Sequence, residues 1–98
     1  TVVITNPTHY AVALRYDSSD PAPVLVAKGA GVIAEKIREL ARKHSVPLVE
    51  RPVLARGLYA TVKEGQPIPA VLFRAVAEVL AFIFRLREIG SQAKTSAT

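Results

Sequence analysis

Asn6 followed by Pro7 is a pair whose side-chain and main-chain chemistry can break the polypeptide from within. An asparagine carboxamide nitrogen can attack its own main-chain carbonyl carbon, close a five-membered succinimide and expel the nitrogen of the next residue. Ordinarily the next residue's N–H attacks the side chain instead, and deamidation follows. Proline has no N–H, so at Asn6-Pro7 chain cleavage is the intramolecular route left open. His9 stands three residues on, within reach across a tight turn, and an imidazole exchanges protons near neutral pH. It is the candidate for taking a proton from the side-chain amide or giving one to the Pro7 nitrogen, with geometry alone as its alternative role. Thr8 can orient either partner. The catalytic set read from the sequence is Asn6, Pro7, Thr8 and His9, in a single-turnover autoproteolysis and not a turnover reaction.

Asn-Pro is also an ordinary strand-ending turn, since asparagine tolerates unusual backbone angles and proline presets its own. Its surroundings set this pair apart. Proline pushes the preceding residue toward extended angles, which puts Asn6 at a strand end with its side chain free to fold back. An amide is a poor nucleophile and a peptide a poor electrophile, so the fold must hold one against the other. Good orientation recovers about 7–11 kcal/mol of such a barrier. Two further aids are expected: backbone strain that weakens resonance at the Asn6–Pro7 link, and a hydrogen-bond donor near the Asn6 carbonyl oxygen.

The elements that must position this turn alternate along the chain. Residues 2–5 and 11–16 are β-rich runs on either side of it, 17–23 is a polar loop with two prolines, and 24–27 reads as a third strand. Gly29-Ala30-Gly31 opens a helix with Ile33, Ile37, Leu40 and Ala41 on one face and Glu35, Lys36, Glu39 and Lys43 on the other. A fourth strand over 46–49 is bracketed by Pro47 and Pro52, which places it near an edge or at least ends it early. Helices follow over 53–62 and 70–87. The fold class is α/β, a four-stranded mixed sheet surrounded by three or four helices in one small domain. Residues 1–89 form that self-cleaving domain, and 90–98, without apolar periodicity, read as a flexible tail.

Around these residues the sequence resembles the FlhB/YscU family, the export-switch proteins of flagellar and virulence type III secretion. The stretch from Thr5 through Asn6-Pro7-Thr8-His9-Tyr10 to Leu14 is similar to the family's autocleavage site and the strand after it. Val26-Ala27-Lys28-Gly29, Val46-Pro47, Leu54-Ala55-Arg56 with Leu58-Tyr59, Gly65-Gln66, Ile68-Pro69 and the run Ala75 to Leu80 match family positions in order. The last of these favours the flagellar branch. The resemblance covers residues 1–87 and implies a cytoplasmic domain at the bacterial inner membrane, attached through an N-terminal transmembrane domain missing here. It implies that self-cleavage permits export specificity to switch from early to late substrates. The implied partners are other export-gate components, exported substrates and a length-control protein. It also implies a substrate-docking patch at Ala22, Pro23, Ala77 and Leu80, of which Ala22-Pro23 lie in a loop expected to be exposed. Ala77 and Leu80 read equally well as plain helix core. Two departures stand out: Val53 replaces a second proline common after Pro52, and the tail is short.

Composition narrows the remaining classes. The 98 residues suffice for one domain, and the lack of Cys and Met excludes disulfides and a thiol nucleophile and predicts a processed piece of a longer chain. The apolar stretch 68–84 is broken by Arg74 and Glu78 at helical ion-pair spacing, so it reads as a core helix and not a membrane span. A net charge of +5 raises nucleic acid as a partner. The basic residues are scattered without an aromatic stacking set, and anionic lipid at a membrane accounts for them equally well; no nucleic-acid partner is expected. Gly29-Ala30-Gly31 lacks the spacing of either phosphate-binding glycine loop. His9 and His44 are too few for zinc, His44 reads as a helix-terminal residue, and the serines lack a nucleophile elbow. No cofactor or metal is expected. The alternatives left open are a non-cleaving substrate-binding module of the same fold and, behind it, a basic nucleic-acid binder.

Overall fold

A computed structural model describes residues 1–96, and side-chain surroundings for residues 1–89. Strands β1 (Val2–Asn6), β2 (Tyr10–Arg15) and β3 (Val24–Ala30) are followed by helix α1 (Val32–Lys43), strand β4 (Leu48–Glu50), helix α2 (Pro52–Thr61), a 3₁₀ turn over Ala70–Leu72 and helix α3 (Phe73–Ser96). The sheet order is β3-β2-β1-β4. β1 and β2 form an antiparallel hairpin, β2 and β3 pair antiparallel, and β4 joins parallel to β1. The sheet is thus mixed, with the short, proline-flanked β4 at an edge as its sequence predicts.

Period-two alternation in β1 and β2 divides the interior between the two faces of the sheet. Val2 and Ile4 pair with Leu14 and Val12 and pack with Leu25, Val49, Leu58 of α2 and Val76, Val79 and Ile83 of α3. Val3, Ala11 and Ala13 point the other way, against Ala34 and Ala41 of α1. β1 and β2 are therefore buried on both sides, which is why they read as nearly continuous apolar runs. Leu58 is fully buried; truncating such a side chain to alanine costs about 2–5 kcal/mol.

Three elements differ from the sequence reading. β3 runs on through Ala30, not ending at Ala27, because β2 offers a full set of partners as far as Tyr10↔Ala30. A bulge there, with Leu14 opposite Leu25 and Ala13 opposite Ala27, leaves Val26 as the extra residue. Leu25 and Ala27 consequently face opposite cores although they are two residues apart. In α1 the buried stripe is Ala34, Ile37 and Ala41, while Ile33 and Leu40 are about half exposed; the facing strand positions are alanine and valine, and small helix residues let the backbones approach. In the last helix, a 3₁₀ turn precedes α3, whose backbone stays helical to Ser96, past the start of the expected tail at 90. The Arg74–Glu78 pair forms as spaced, at 3.9 Å, and is largely exposed, so it adds little stability.

Candidate functional site

The hairpin between β1 and β2 is closed by the paired residues Asn6 and Tyr10, leaving Pro7, Thr8 and His9 as an exposed three-residue loop. The His9 N–H donates to the Asn6 carbonyl oxygen at 2.9 Å. This is the donor expected at that oxygen, where charge develops when the carbonyl carbon is attacked. The Thr8 hydroxyl donates to Asn6 Oδ1 at 3.4 Å, and Thr8 Oγ1 lies 2.7 Å from His9 Nδ1. A hydroxyl has one proton, so with Thr8 donating to Asn6, its oxygen accepts from a protonated Nδ1. The result is a chain from imidazole to hydroxyl to carboxamide oxygen. All four residues named from sequence stand within this one turn.

Two sequence expectations are modified here. His9 reaches the Asn6 side chain through Thr8, on the oxygen side of the carboxamide. The expected backbone strain is not seen in the turn's φ angles: among the described residues the positive φ outside glycine belongs to Ser45, and no peptide bond is cis. The turn holds Asn6 by hydrogen bonds, with no left-handed residue in it.

Neighbouring elements fix the hairpin from three sides. The Arg51 N–H donates to the Thr5 carbonyl at 3.0 Å, just before the Asn6 residue, and the Gly31 N–H donates to the His9 carbonyl at 3.2 Å. Tyr10 stacks on Tyr59 of α2, ring centroids 4.5 Å apart. Tyr59 is held in turn by Lys28, whose Nζ donates to the Tyr59 and Val62 carbonyls at 2.9 and 2.8 Å and lies over the Tyr59 ring. The sequence alone assigns no role at this turn to Lys28, Tyr59 or Arg51, and gives Gly31 only that of opening α1. A lysine in β3 aimed at the carbonyl end of a helix is a recognisable device, but only the fold reveals which helix.

A second feature lies where the 17–23 loop meets α3. Tyr16, Ala22, Pro23, Phe73, Ala77, Leu80 and Phe84 line an apolar groove of about 410 Å³, so the four docking positions named from the resemblance share one depression. Ala22, expected to be exposed with its loop, is instead buried, at 8%, where the loop forms part of the groove. Ala77 is exposed, and Leu80 is half-buried against the core. Among the described residues, no three His, Asp or Glu side chains gather as metal ligands would.

The pattern of the FlhB HrpN YscU SpaS Family matches residues 1–83. The chain belongs to this family. It is 55% identical over 87 residues to the flagellar biosynthetic protein FlhB of Salmonella typhimurium, covering 88% of the chain and 23% of that relative. Its fold superimposes on the cytoplasmic domain of FlhB from Shewanella putrefaciens with a TM-score of 0.88 at 47% identity, covering 93% of this chain and 70% of that one. An EscU C-terminal domain carrying an asparagine-to-alanine substitution is similar at TM-score 0.81 and 34% identity, covering 84% and 83% of the two chains. The chain thus spans about a quarter of the length of the curated family members it matches. Among the described residues, no helix is long and apolar enough to cross a membrane.

Proposed function

We propose that this family member severs its own Asn6–Pro7 bond by asparagine cyclisation, and that the cut permits a change of substrate specificity in a flagellar-type export apparatus. The observation that carries the proposal is the hydrogen-bonded turn itself: one donor at the Asn6 carbonyl oxygen and a relay from His9 through Thr8 to the carboxamide. In the reaction a bond forms between Asn6 Nδ2 and the Asn6 carbonyl carbon, and the bond from that carbon to the Pro7 nitrogen breaks. Nδ2, on the partly exposed Asn6, loses a proton to water, and the Pro7 nitrogen gains one. As Nδ2 becomes nucleophilic, electron density moves to Oδ1, where the Thr8 hydroxyl and the imidazole behind it stabilise it. The His9 N–H does the same for the oxygen of the tetrahedral intermediate. The 3.4 Å contact from Thr8 is long for such a bond and would shorten as charge grows on Oδ1. Pro7 is exposed, so water can protonate the leaving nitrogen. The chain starting at Pro7 is free at that step, and hydrolysis of the succinimide then leaves the other piece ending at Asn6.

Cleavage need not part the pieces. β1 is hydrogen-bonded to strands on both sides, and Val2, Val3 and Ile4 are buried, so the loop can change shape while the sheet persists. In this reading the domain sits at the cytoplasmic face of the inner membrane and works with other export-gate components, exported substrates and a length-control protein. EscU domains with an asparagine, or the proline beside it, replaced by alanine are the counterparts that motivate the same substitutions here. Intact mass after denaturation tests the reading: native protein held at neutral pH should yield a species beginning at Pro7, and Asn6→Ala should not. A single uncut native species overturns it.

The alternative of a non-cleaving module that binds exported substrates is favoured by the apolar groove around Ala22, Pro23, Ala77 and Leu80. It would leave substrate binding intact in the uncut Asn6→Ala protein.

A further inference from the structure

We infer that Gly31 is a positioning residue for the reaction at Asn6, acting through the His9 carbonyl. The inference rests on the self-cleavage proposed above and adds to it a component outside the Asn-Pro-Thr-His turn. Gly31 sits where β3 ends and α1 begins, and both of its backbone polar groups are engaged. Its N–H donates to the His9 carbonyl oxygen at 3.2 Å, and its carbonyl accepts the Glu35 N–H at 3.1 Å as the first bond of α1. His9 is thereby pinned at both ends, its N–H on Asn6 and its carbonyl on Gly31. With both neighbouring peptide planes fixed, the imidazole is carried to the Thr8 hydroxyl, 2.7 Å away. The pairing of β2 with β3 reaches Tyr10↔Ala30, and the Gly31 bond extends that ladder one step into the reactive turn.

The residue type follows from the geometry. Gly31 has φ +56° and ψ −123°, a combination that L side chains rarely adopt. Space is not the reason, since a Cβ at Gly31 would meet nothing within 4 Å. An L residue here must rotate its backbone, and the N–H aimed at His9 turns with it. A D residue finds the same angles comfortable. The two glycines of the Gly29-Ala30-Gly31 run differ in this respect, because a Cβ at Gly29 would collide with the Ile33 side chain. Gly29 is a packing requirement; Gly31 is an orientation requirement.

The test is semisynthesis of the whole chain with single replacements at position 31, followed by the rate at which the Pro7-initiated species appears. Gly31→Ala should slow cleavage about 10- to 100-fold, the range expected when reacting groups are displaced by an ångström or less. D-alanine at the same position should restore the native rate, which shows that the loss follows the backbone angles and not the added methyl group. An amide-to-ester replacement that removes only the Gly31 N–H should slow cleavage while leaving the far-ultraviolet spectrum and the thermal midpoint close to native. If the ester variant cuts as fast as native, or if D-alanine fails to rescue while remaining folded, the inference is overturned. Failure of the parent chain to cut at all would instead overturn the proposed function.

Discussion

The reactive turn and the apolar groove are built in opposite ways. The turn is polar and exposed, and the chemistry proposed for it lies in four consecutive residues, anchored by backbone hydrogen bonds from Gly31 and Arg51 at the ends of β3 and β4. The groove is apolar and draws on residues 16–23 and 73–84, far apart in the chain, with packing as its main adhesive. A site made from neighbours in sequence can be tuned by single atoms, whereas one assembled from distant segments answers to anything that shifts a helix. The proposed chemistry and the proposed docking can therefore vary separately in one small domain.

Substitutions that affect one region and spare the other test this separation. The largest effect belongs to Asn6→Ala, which removes the nucleophile: no Pro7-initiated chain should form over days, while ligand binding at the groove stays within twofold by titration. Next, Thr8→Ala and His9→Ala should each slow cutting by about 10²-fold, the usual cost of removing a hydrogen-bond donor from developing negative charge. Because they act as one relay, the double variant should be little slower than either single one; additive losses in a kinetic mass-spectrometric cycle would show independent roles. Ala77→Asp then puts a charge at the exposed rim of the groove. It should weaken capture of an apolar export substrate about tenfold, leave the cleavage rate unchanged, and alter stability by no more than about 0.5 kcal/mol in urea.

The smallest effect concerns the loop that forms one wall of the groove. Asp17 accepts hydrogen bonds from the Ser19 N–H and hydroxyl, and the backbone bond above all holds its carboxyl below the ordinary value of 3.8. A lowered folded value means the ionised form is favoured by folding, so this ordering is complete above about pH 3.8 and fades as the pH falls through the folded value. The Ser19 amide resonance should move toward its unstructured position over that acid range, and Asp17→Asn should lose the dependence. A titration centred above 3.8 would contradict it.

What could be read from the sequence follows the same division. The turn from Asn6 to His9 was legible because it depends on adjacency, and β1 and β2 because burial on both faces leaves an unmistakable apolar run. The edge position of β4 followed from Pro47 and Pro52. Less legible was anything fixed by a partner. The buried face of α1 is Ala34, Ile37 and Ala41 because the sheet beneath it is made of small residues, and hydropathy within the helix alone points to Ile33 and Leu40. Ala22 is buried in a loop that shares its groove with α3, some fifty residues away, while Lys28 looks like any surface lysine until the end of α2 is placed over it. Gly31 read as a helix-opening turn, and that is correct as far as it goes; its link to His9 needs the β2–β3 register.

The central place of β1 in the sheet has a further consequence for a severed molecule. Once the Asn6–Pro7 link is gone, the strand that the other elements assemble around is no longer covalently part of them. Folding changes from a first-order to a second-order process, and stability becomes a matter of concentration. An intact chain recovers from a transient opening at any dilution. A cut one that opens can lose its strand for good, so the scission would leave a record that heat or dilution can read long after the bond has broken.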